Sequence, residues 1–353
     1  MKKKIIIGVI IGVVSLIILA IISFIVYFLM AIGPVDKDEE ITFKIDPGTS
    51  TLTIINNLKD NDLIKDEFAA KIYLYIHKGI SFQAGSYKLN KKMSLEEIFL
   101  KFINGDVIKD NIEITFVEGK RIPDYAKTIA TNLNIDESEV LKTLSDKDFL
   151  SELIDKYWFI TDEILNKNIY YPLEGYLYPN TYQFDKEASV KDVVIKLIDN
   201  LGIKLEPFKE EIEASKYTPH QLLTLASIVE LEAASEEDRL NVAGVFYNRL
   251  QVGMTLGSDV TTYYAAKKVF TDDLTMNDLA ACNAYNTRGS CVNALPIGPI
   301  TSPSISSIKA AIEPQENEYL FFVADKTKKV YFSKTAQEQG KVIDDLKKAN
   351  LWL

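Results

Sequence analysis

Residues Ile5 to Ile32 form an uncharged, apolar run preceded by Lys2, Lys3 and Lys4. A bilayer span needs about 20 such residues. The core of a cleavable signal peptide is shorter, about 7–15 residues, and ends in a small-residue cleavage site that does not follow here. A buried helix of a soluble protein would show a polar face, and this run has none. It therefore reads as a retained single-pass anchor over 5–32. Residues 1–4 are a basic cytoplasmic flank and the remainder lies outside the cell membrane.

Charge inverts beyond the anchor. Three of the 40 basic residues precede the run, leaving 37 against 50 acidic ones, a balance of −13. That excludes a nucleic-acid partner, which needs a basic face. The two histidines, His77 and His220, with Cys282 and Cys291 as the only cysteines, make no zinc-ligand cluster, so neither metal nor cofactor is expected. No G-x-S-x-G occurs, which speaks against a Ser-His-Asp hydrolase. Outside the cytoplasm the two cysteines are free to pair or to stay apart, and spacing alone does not decide it.

The exterior has length for two domains. After an acidic linker over 33–40, Ile41–Ile45 alternates as a strand and Leu52–Leu58 has helical spacing. Asp66–His77 reads as a second helix and Gly85–Leu89 as a second strand. A helix over Ser94–Ile103 is ended by Gly105. This β-α-α-β order over 41–111 resembles a LysM module, the glycan-binding fold of bacterial walls; a plain spacer is the alternative.

A second strand-turn-helix, Ile114–Gly119 followed by Ile122–Leu133, opens the larger domain over 112–353. Tyr170–Phe184 then packs six aromatic residues around Glu174 and Gly175, which suits either a sugar-binding cleft or a loop lying on a core. Gly253–Thr262 is a turn-rich loop presenting Asp259. Further loops follow at Ala284–Thr287 and at Ala294–Ile300, the second rich in Pro and Gly. A helix over Ser304–Ile312, strands Tyr319–Ala324 and Val330–Ser333, and an amphipathic helix over Thr335–Asn350 close the domain.

At the centre of this domain Thr218, Pro219 and Gln221 spell a helix start with a capping box, and Ser235 with Asp238 starts the next helix. The first helix is almost entirely apolar until Glu230 and Glu232. Positions two apart point to nearly opposite sides. Glu232 continues the row Leu222, Leu225, Val229, whereas Glu230 continues Leu223 and Ser227 toward the stripe with Thr224 and His220. The spacing thus predicts deeper burial, and a raised pKa, for Glu232. The bland alternative pairs one or both carboxylates with Arg239, Arg249 or a lysine.

Leu173–Tyr182, Leu225–Glu232, Val242–Leu250, Gly253–Asp259, Tyr285–Thr287, Leu295–Ile300 and Tyr319–Asp325 occur in the order seen in the endolytic murein transglycosylases, the YceG-like family, which this chain resembles over almost its whole length. The resemblance implies an α+β fold with an N-terminal transmembrane helix, a LysM-like module and a catalytic domain built on a central buried helix. It implies non-hydrolytic cleavage within nascent peptidoglycan strands, between N-acetylmuramic acid and N-acetylglucosamine, leaving 1,6-anhydro-muramyl ends. One glutamate would act as acid and then as base. The family's catalytic glutamate carries onto Glu232, with Glu230 as competitor. Glu174, Tyr176, Ser258, Asp259, Tyr285, Asn286 and Thr287 match motif positions expected to contact substrate. Wall-synthesis or division proteins are the partners such an enzyme would meet.

The chain departs from the family pattern at Arg288, where a tyrosine is usual, and at Ala294-Leu-Pro-Ile297. It also lacks the family's late histidines, with Val330 and Gln339 in their places, so those histidines are not needed for its chemistry. Two other readings stay open: a catalytically silent wall-binding scaffold, and a hydrolase using Glu232 with Asp259 as second carboxylate.

Overall fold

In the computed structural model, which describes residues 2–77, 79–108 and 111–352, the helix α1 (Lys2–Ala31) carries the apolar run. Its stretch Ile10–Ala31 is long and apolar enough to cross a membrane, and as far as Met30 none of it is buried against protein. The chain divides into two compact units, Met1–Asp110 and Asn111–Leu353. Each has a hydrophobic core of its own.

In the first unit β1 (Glu40–Ile45) pairs antiparallel with β2 (Gly85–Asn90), Ile41 opposite Leu89 and Phe43 opposite Tyr87. Between them run α2 (Thr51–Asp60) and α3 (Glu67–Ile76), capped by Ser50 and Asp66. α4 (Leu95–Asn104) follows, opened by a Ser94–Glu97 capping box and closed by Gly105 in the left-handed region at φ 69°. These caps satisfy amide groups a helix end would otherwise leave unpaired. The alternation along both strands sends Phe43, Ile45, Tyr87 and Leu89 inward onto Ile55, Leu58, Phe99 and Phe102.

The second unit begins with β3 (Asn111–Phe116), then α5 (Ile122–Leu133), α6 (Glu137–Leu144) and α7 (Lys147–Lys156). β4 (Asn180–Asp185) pairs antiparallel with β3, so the end of the aromatic stretch is strand. Next come α8 (Val190–Leu205), α9 (Lys209–Ala214), α10 (Pro219–Glu232), α11 (Glu236–Gln251), α12 (Asp259–Ala265), α13 (Met276–Ala280) and α14 (Ile305–Ile312). The antiparallel pair β5 (Phe321–Ala324) and β6 (Val330–Ser333) and the helix α15 (Ala336–Lys348) end the unit. The sequence reads Gly253–Thr262 as loop throughout; instead Ser258 is an N-cap and α12 starts at Asp259.

Candidate active site

α10 is enclosed rather than amphipathic. Thr218 and Gln221 form the expected capping box, and of the residues from His220 to Glu230 every one but Gln221 is buried. α11, α12 and α14 all pack against it. The polar stripe inferred from the sequence does not face water. Thr224 Oγ1 donates to the His220 carbonyl at 2.7 Å, and Ser227 Oγ donates to the Thr224 carbonyl at 2.7 Å while accepting from the Ile300 amide at 3.0 Å. A buried hydroxyl costs little once its bonds are made inside.

This arrangement reverses the expected order of burial for the two glutamates. Glu230 is the enclosed one. Its Oε1 accepts from Arg239 Nη2 at 3.0 Å, and its Oε2 from the Ser304 amide at 2.8 Å, Ser304 Oγ at 2.6 Å and Ser307 Oγ at 2.7 Å. With four donors it ties the end of α10 to the N-terminus of α14 and to α11, and it has no oxygen free. The ion pair that sequence offered as the bland reading is realised here.

Glu232, at the last position of α10, is partly exposed. Its Oε1 accepts from Ser258 Oγ at 2.5 Å, and among the described residues Oε2 makes no hydrogen bond. Burial pushes the carboxyl above its ordinary value; the Ser258 bond and the charges of Arg288 and Arg249 oppose that, and Asp259 adds to it. Burial in surrounding protein, rather than in the apolar row inferred from sequence, is the cause.

Ser258 occupies the N-cap of α12, where a serine normally bonds the helix amides. It makes no such cap bond; its hydroxyl is turned to Glu232, to which it donates. A cap given up in this way costs about 1 kcal/mol, which marks the Ser258–Glu232 contact as a feature of the site rather than of the helix. Asp259, next to it, pairs with Arg288 Nε at 2.5 Å on the exposed rim. Arg249 reaches Glu232 only through its charge; its Nε donates to the Leu320 carbonyl at 2.6 Å and its Nη1 to the Leu256 carbonyl at 2.5 Å. Neither arginine is named as a site residue from the sequence: Arg249 appears there as a possible partner of the two glutamates and Arg288 as a departure from the family pattern.

The remaining candidates lie beneath the surface. Tyr285, Asn286 and Thr287 are fully buried. Asn286 Nδ2 donates to the carbonyls of Asp278, Leu279 and Ala281, and its Oδ1 accepts from Thr262 Oγ1 at 2.7 Å. Thr287 Oγ1 accepts from the Ser258 amide at 3.0 Å. These three therefore build the loop behind Ser258, with no surface for a substrate. Most of the aromatic stretch is core too: Tyr176, Tyr178, Tyr182 and Phe184 are buried.

Glu174 is also enclosed. It accepts from the Ile122 amide at 3.0 Å, at the start of α5, and from Tyr264 OH at 3.0 Å. Gly175 beside it has φ +83°, and a Cβ there would meet Pro299 at 2.5 Å, so only glycine fits the turn that points Glu174 inward. Burial lifts the Glu174 carboxyl to about 8. A carboxyl whose folded pKa exceeds its unfolded one holds its proton in the folded state, so stability falls as pH rises from the ordinary glutamate value through about 8. Thermal melts across that range are expected to show this slope, and Glu174→Gln to flatten it.

A cleft of about 460 Å³ lies at the other end of α10, lined by Glu163, Tyr217, His220, Leu250 and Pro296 among others. His220 there accepts from Tyr176 OH at Nδ1 (2.7 Å) and donates from Nε2 to the Ile297 carbonyl (2.9 Å), a neutral tautomer with both nitrogens used. Twelve residues of helix, roughly 18 Å, separate His220 from Glu232, and neither of its ring nitrogens is free for acid–base work.

No cluster of three or more potential metal ligands occurs among the described residues. Cys282 and Cys291 are joined as a disulfide.

A partly open carboxylate of raised pKa, given one hydroxyl donor and flanked by fixed charges, is the arrangement that a general acid–base group needs. The YceG-like family profile matches residues 43–345. The chain is 37% identical over 320 residues to the endolytic murein transglycosylase of Bacillus subtilis, covering 90% of this chain and 88% of that protein. It is 28% identical to the endolytic murein transglycosylase of Streptococcus pneumoniae serotype 2, spanning 60% of that longer protein and 89% of itself. The crystal structure of a yceG-like protein from Listeria monocytogenes superposes with a TM-score of 0.62 at 34% identity, covering 87% of this chain and all of that one. The chain belongs to the YceG-like family.

Proposed function

We propose that this protein is a membrane-anchored endolytic lytic transglycosylase of peptidoglycan, with Glu232 as its acid and base. The observation that carries the reading is the contrast on one helix end: Glu230 is spent on four donors, while Glu232 keeps Oε2 unbonded and a raised pKa. The name of the Bacillus subtilis relative, a protein nearly collinear with this chain, points to the same reaction.

In this reading protonated Glu232 gives its proton to the bridging oxygen as the bond from the muramyl C1 breaks, and N-acetylglucosamine leaves with its hydroxyl. Positive charge then develops at C1. The C6 hydroxyl of the same muramyl residue closes on C1 and passes its proton to the Glu232 carboxylate, which restores the acid. No water enters. One carboxylate suffices because acid and base act in sequence, whereas hydrolytic glycosidases generally position two. Asp259, the candidate second carboxylate of a hydrolase, is paired with Arg288.

The helix over Ile10–Ala31 supports anchoring, with the lysines before it keeping the N-terminus in the cytoplasm. The β-α-α-β order of the first unit supports a LysM-like role in holding glycan. Uncrosslinked glycan strands incubated with the full chain in detergent are expected to shorten from within, the new ends being 1,6-anhydro-muramyl. Strands that stay intact with a folded protein would favour the scaffold reading.

The Ser258 bond holds the Glu232 carboxyl down against burial. Ser258→Ala is therefore expected to move the alkaline limb of the rate profile to higher pH and to lower kcat. An unmoved limb would mean that the hydroxyl does not touch the working acid.

A further inference from the structure

The loop behind Ser258 is closed on itself. Cys282 and Cys291 are nine residues apart and bonded, with both cysteines exposed, while Tyr285, Asn286, Thr287 and Gly289 between them are buried. The chain thus enters and leaves at the surface and dips inward at its middle. A Cβ on Gly289 would meet the Ala281 carbonyl at 2.4 Å, so the two limbs of the loop lie against each other.

From the inward part a continuous set of hydrogen bonds leads to Glu232. Asn286 Nδ2 fastens the loop to the end of α13 through the carbonyls of Asp278, Leu279 and Ala281. The Thr287 carbonyl accepts from the Gly257 amide at 3.2 Å and Thr287 Oγ1 from the Ser258 amide at 3.0 Å. Ser258 Oγ then donates to Glu232 Oε1. Arg288, the next residue of the loop, sets Asp259 by their ion pair. Two of the groups around the carboxyl, Arg288 directly and Ser258 through Thr287, are therefore set by a segment whose ends the disulfide joins.

We infer that the Cys282–Cys291 disulfide is a positioning element for Glu232: it holds the Tyr285–Arg288 segment in the one register that lets Ser258 bond the carboxyl and Arg288 engage Asp259. The inference rests on the acid–base reading of Glu232 for its effect on rate, and on the hydrogen bonds of the loop for its effect on the carboxyl. A cross-link between exposed residues restricts the states open to the loop without adding a contact to the site. The groups facing Glu232 are Ser258, Asp259 and Arg288 from the loop side and Arg249 from α11. Loosening the loop removes the bond from Ser258. The Ser258 bond outweighs each of the surrounding charges, of which Asp259 and Arg288 act in opposite directions and Arg249 stays in place. Its loss raises the carboxyl's affinity for its proton.

The test compares the full-length wild type with Cys282→Ser/Cys291→Ser, with Ser258→Ala, and with the three changes combined. Each is assayed for kcat, KM and pH–rate profile on uncrosslinked strands. Each is also titrated without substrate, by nuclear resonance of carbon-labelled glutamate carboxyls, with the Glu232 signal assigned by Glu232→Gln. The expected result is a kcat lower by about tenfold in the double serine variant with KM nearly unchanged. The Glu232 titration and the alkaline limb should both move to higher pH, and Ser258→Ala should add little on top, since both act through one bond. If the variant melts lower but keeps the wild-type titration and kcat, the disulfide is a stabilising staple only and the inference is overturned. If the wild type cleaves nothing while the titration still shifts with the cysteine pair, the functional reading fails and the positioning stands. A variant too unstable to assay is replaced by wild type treated with a water-soluble phosphine, which takes oxygen from water and leaves two thiols. The same titration then decides.

Discussion

Glu232→Gln is expected to fold as the wild type does and to lose roughly 10²- to 10⁴-fold or more of its strand-cleaving rate, the range removed with a general acid–base group. The amide matches the carboxyl in shape and keeps an acceptor for Ser258 Oγ, so the local bond survives. What it cannot do is release a proton to the glycosidic oxygen or take one from the muramyl hydroxyl. Because the same group is needed in both halves, a weak bypass of one half does not restore turnover. KM should change little, since the carboxyl contributes to the transition state more than to holding a long strand. The check is a steady-state assay beside thermal melts. An unaltered rate would remove Glu232 from the chemistry.

Glu230→Ala has the opposite profile, with a large effect on stability. It leaves Arg239, whose side chain is 16% exposed, without its partner, and strips the acceptor from the Ser304 amide and the hydroxyls of Ser304 and Ser307. Removing one member of a buried ion pair costs about 3–5 kcal/mol. For a unit of this size each kcal/mol lowers Tm by about 2–4 °C, so melting should come down by roughly 10 °C. Activity measured well below the new Tm should fall far less than with Glu232→Gln, in proportion to the population folded. A variant that melts like the wild type but is inactive would exchange the roles assigned to the two glutamates.

What could be read in the sequence was local. The caps Thr218 with Gln221 and Ser235 with Asp238 act over three positions, and each lies where that spacing places it. Gly105 ends α4 because only the left-handed region closes that turn cheaply. The pairing of β3 with β4 joins segments 66 positions apart at Thr115 and Thr181, and no short-range signal announces it.

The two glutamates expose the limit most clearly. A helical wheel assigns burial by face, but α10 is covered by α11, α12 and α14, so it has no outer face to assign. Glu230 is enclosed because Ser304 and Ser307, more than 70 positions away, converge on it. Glu232 is left partly open because it stands where the helix ends. The proposal of Glu232 thus rests on different grounds from those the spacing supplied. The aromatic stretch is a similar case. Rings in a cleft and rings in a core have the same composition, and only the neighbours separate them. Asn286 and Thr287 belong to a motif that reads as substrate contact, yet their side chains spend their bonds behind the site.

The most direct test of a single carboxylate closing a ring is the mass of the products formed in water labelled with heavy oxygen. Full-length protein acting on uncrosslinked strands should yield internal fragments with 1,6-anhydro-muramyl ends that carry no label and sum to the mass of the parent strand. Fragments with reducing ends, each heavier by one labelled water, would contradict the account and make the protein a hydrolase.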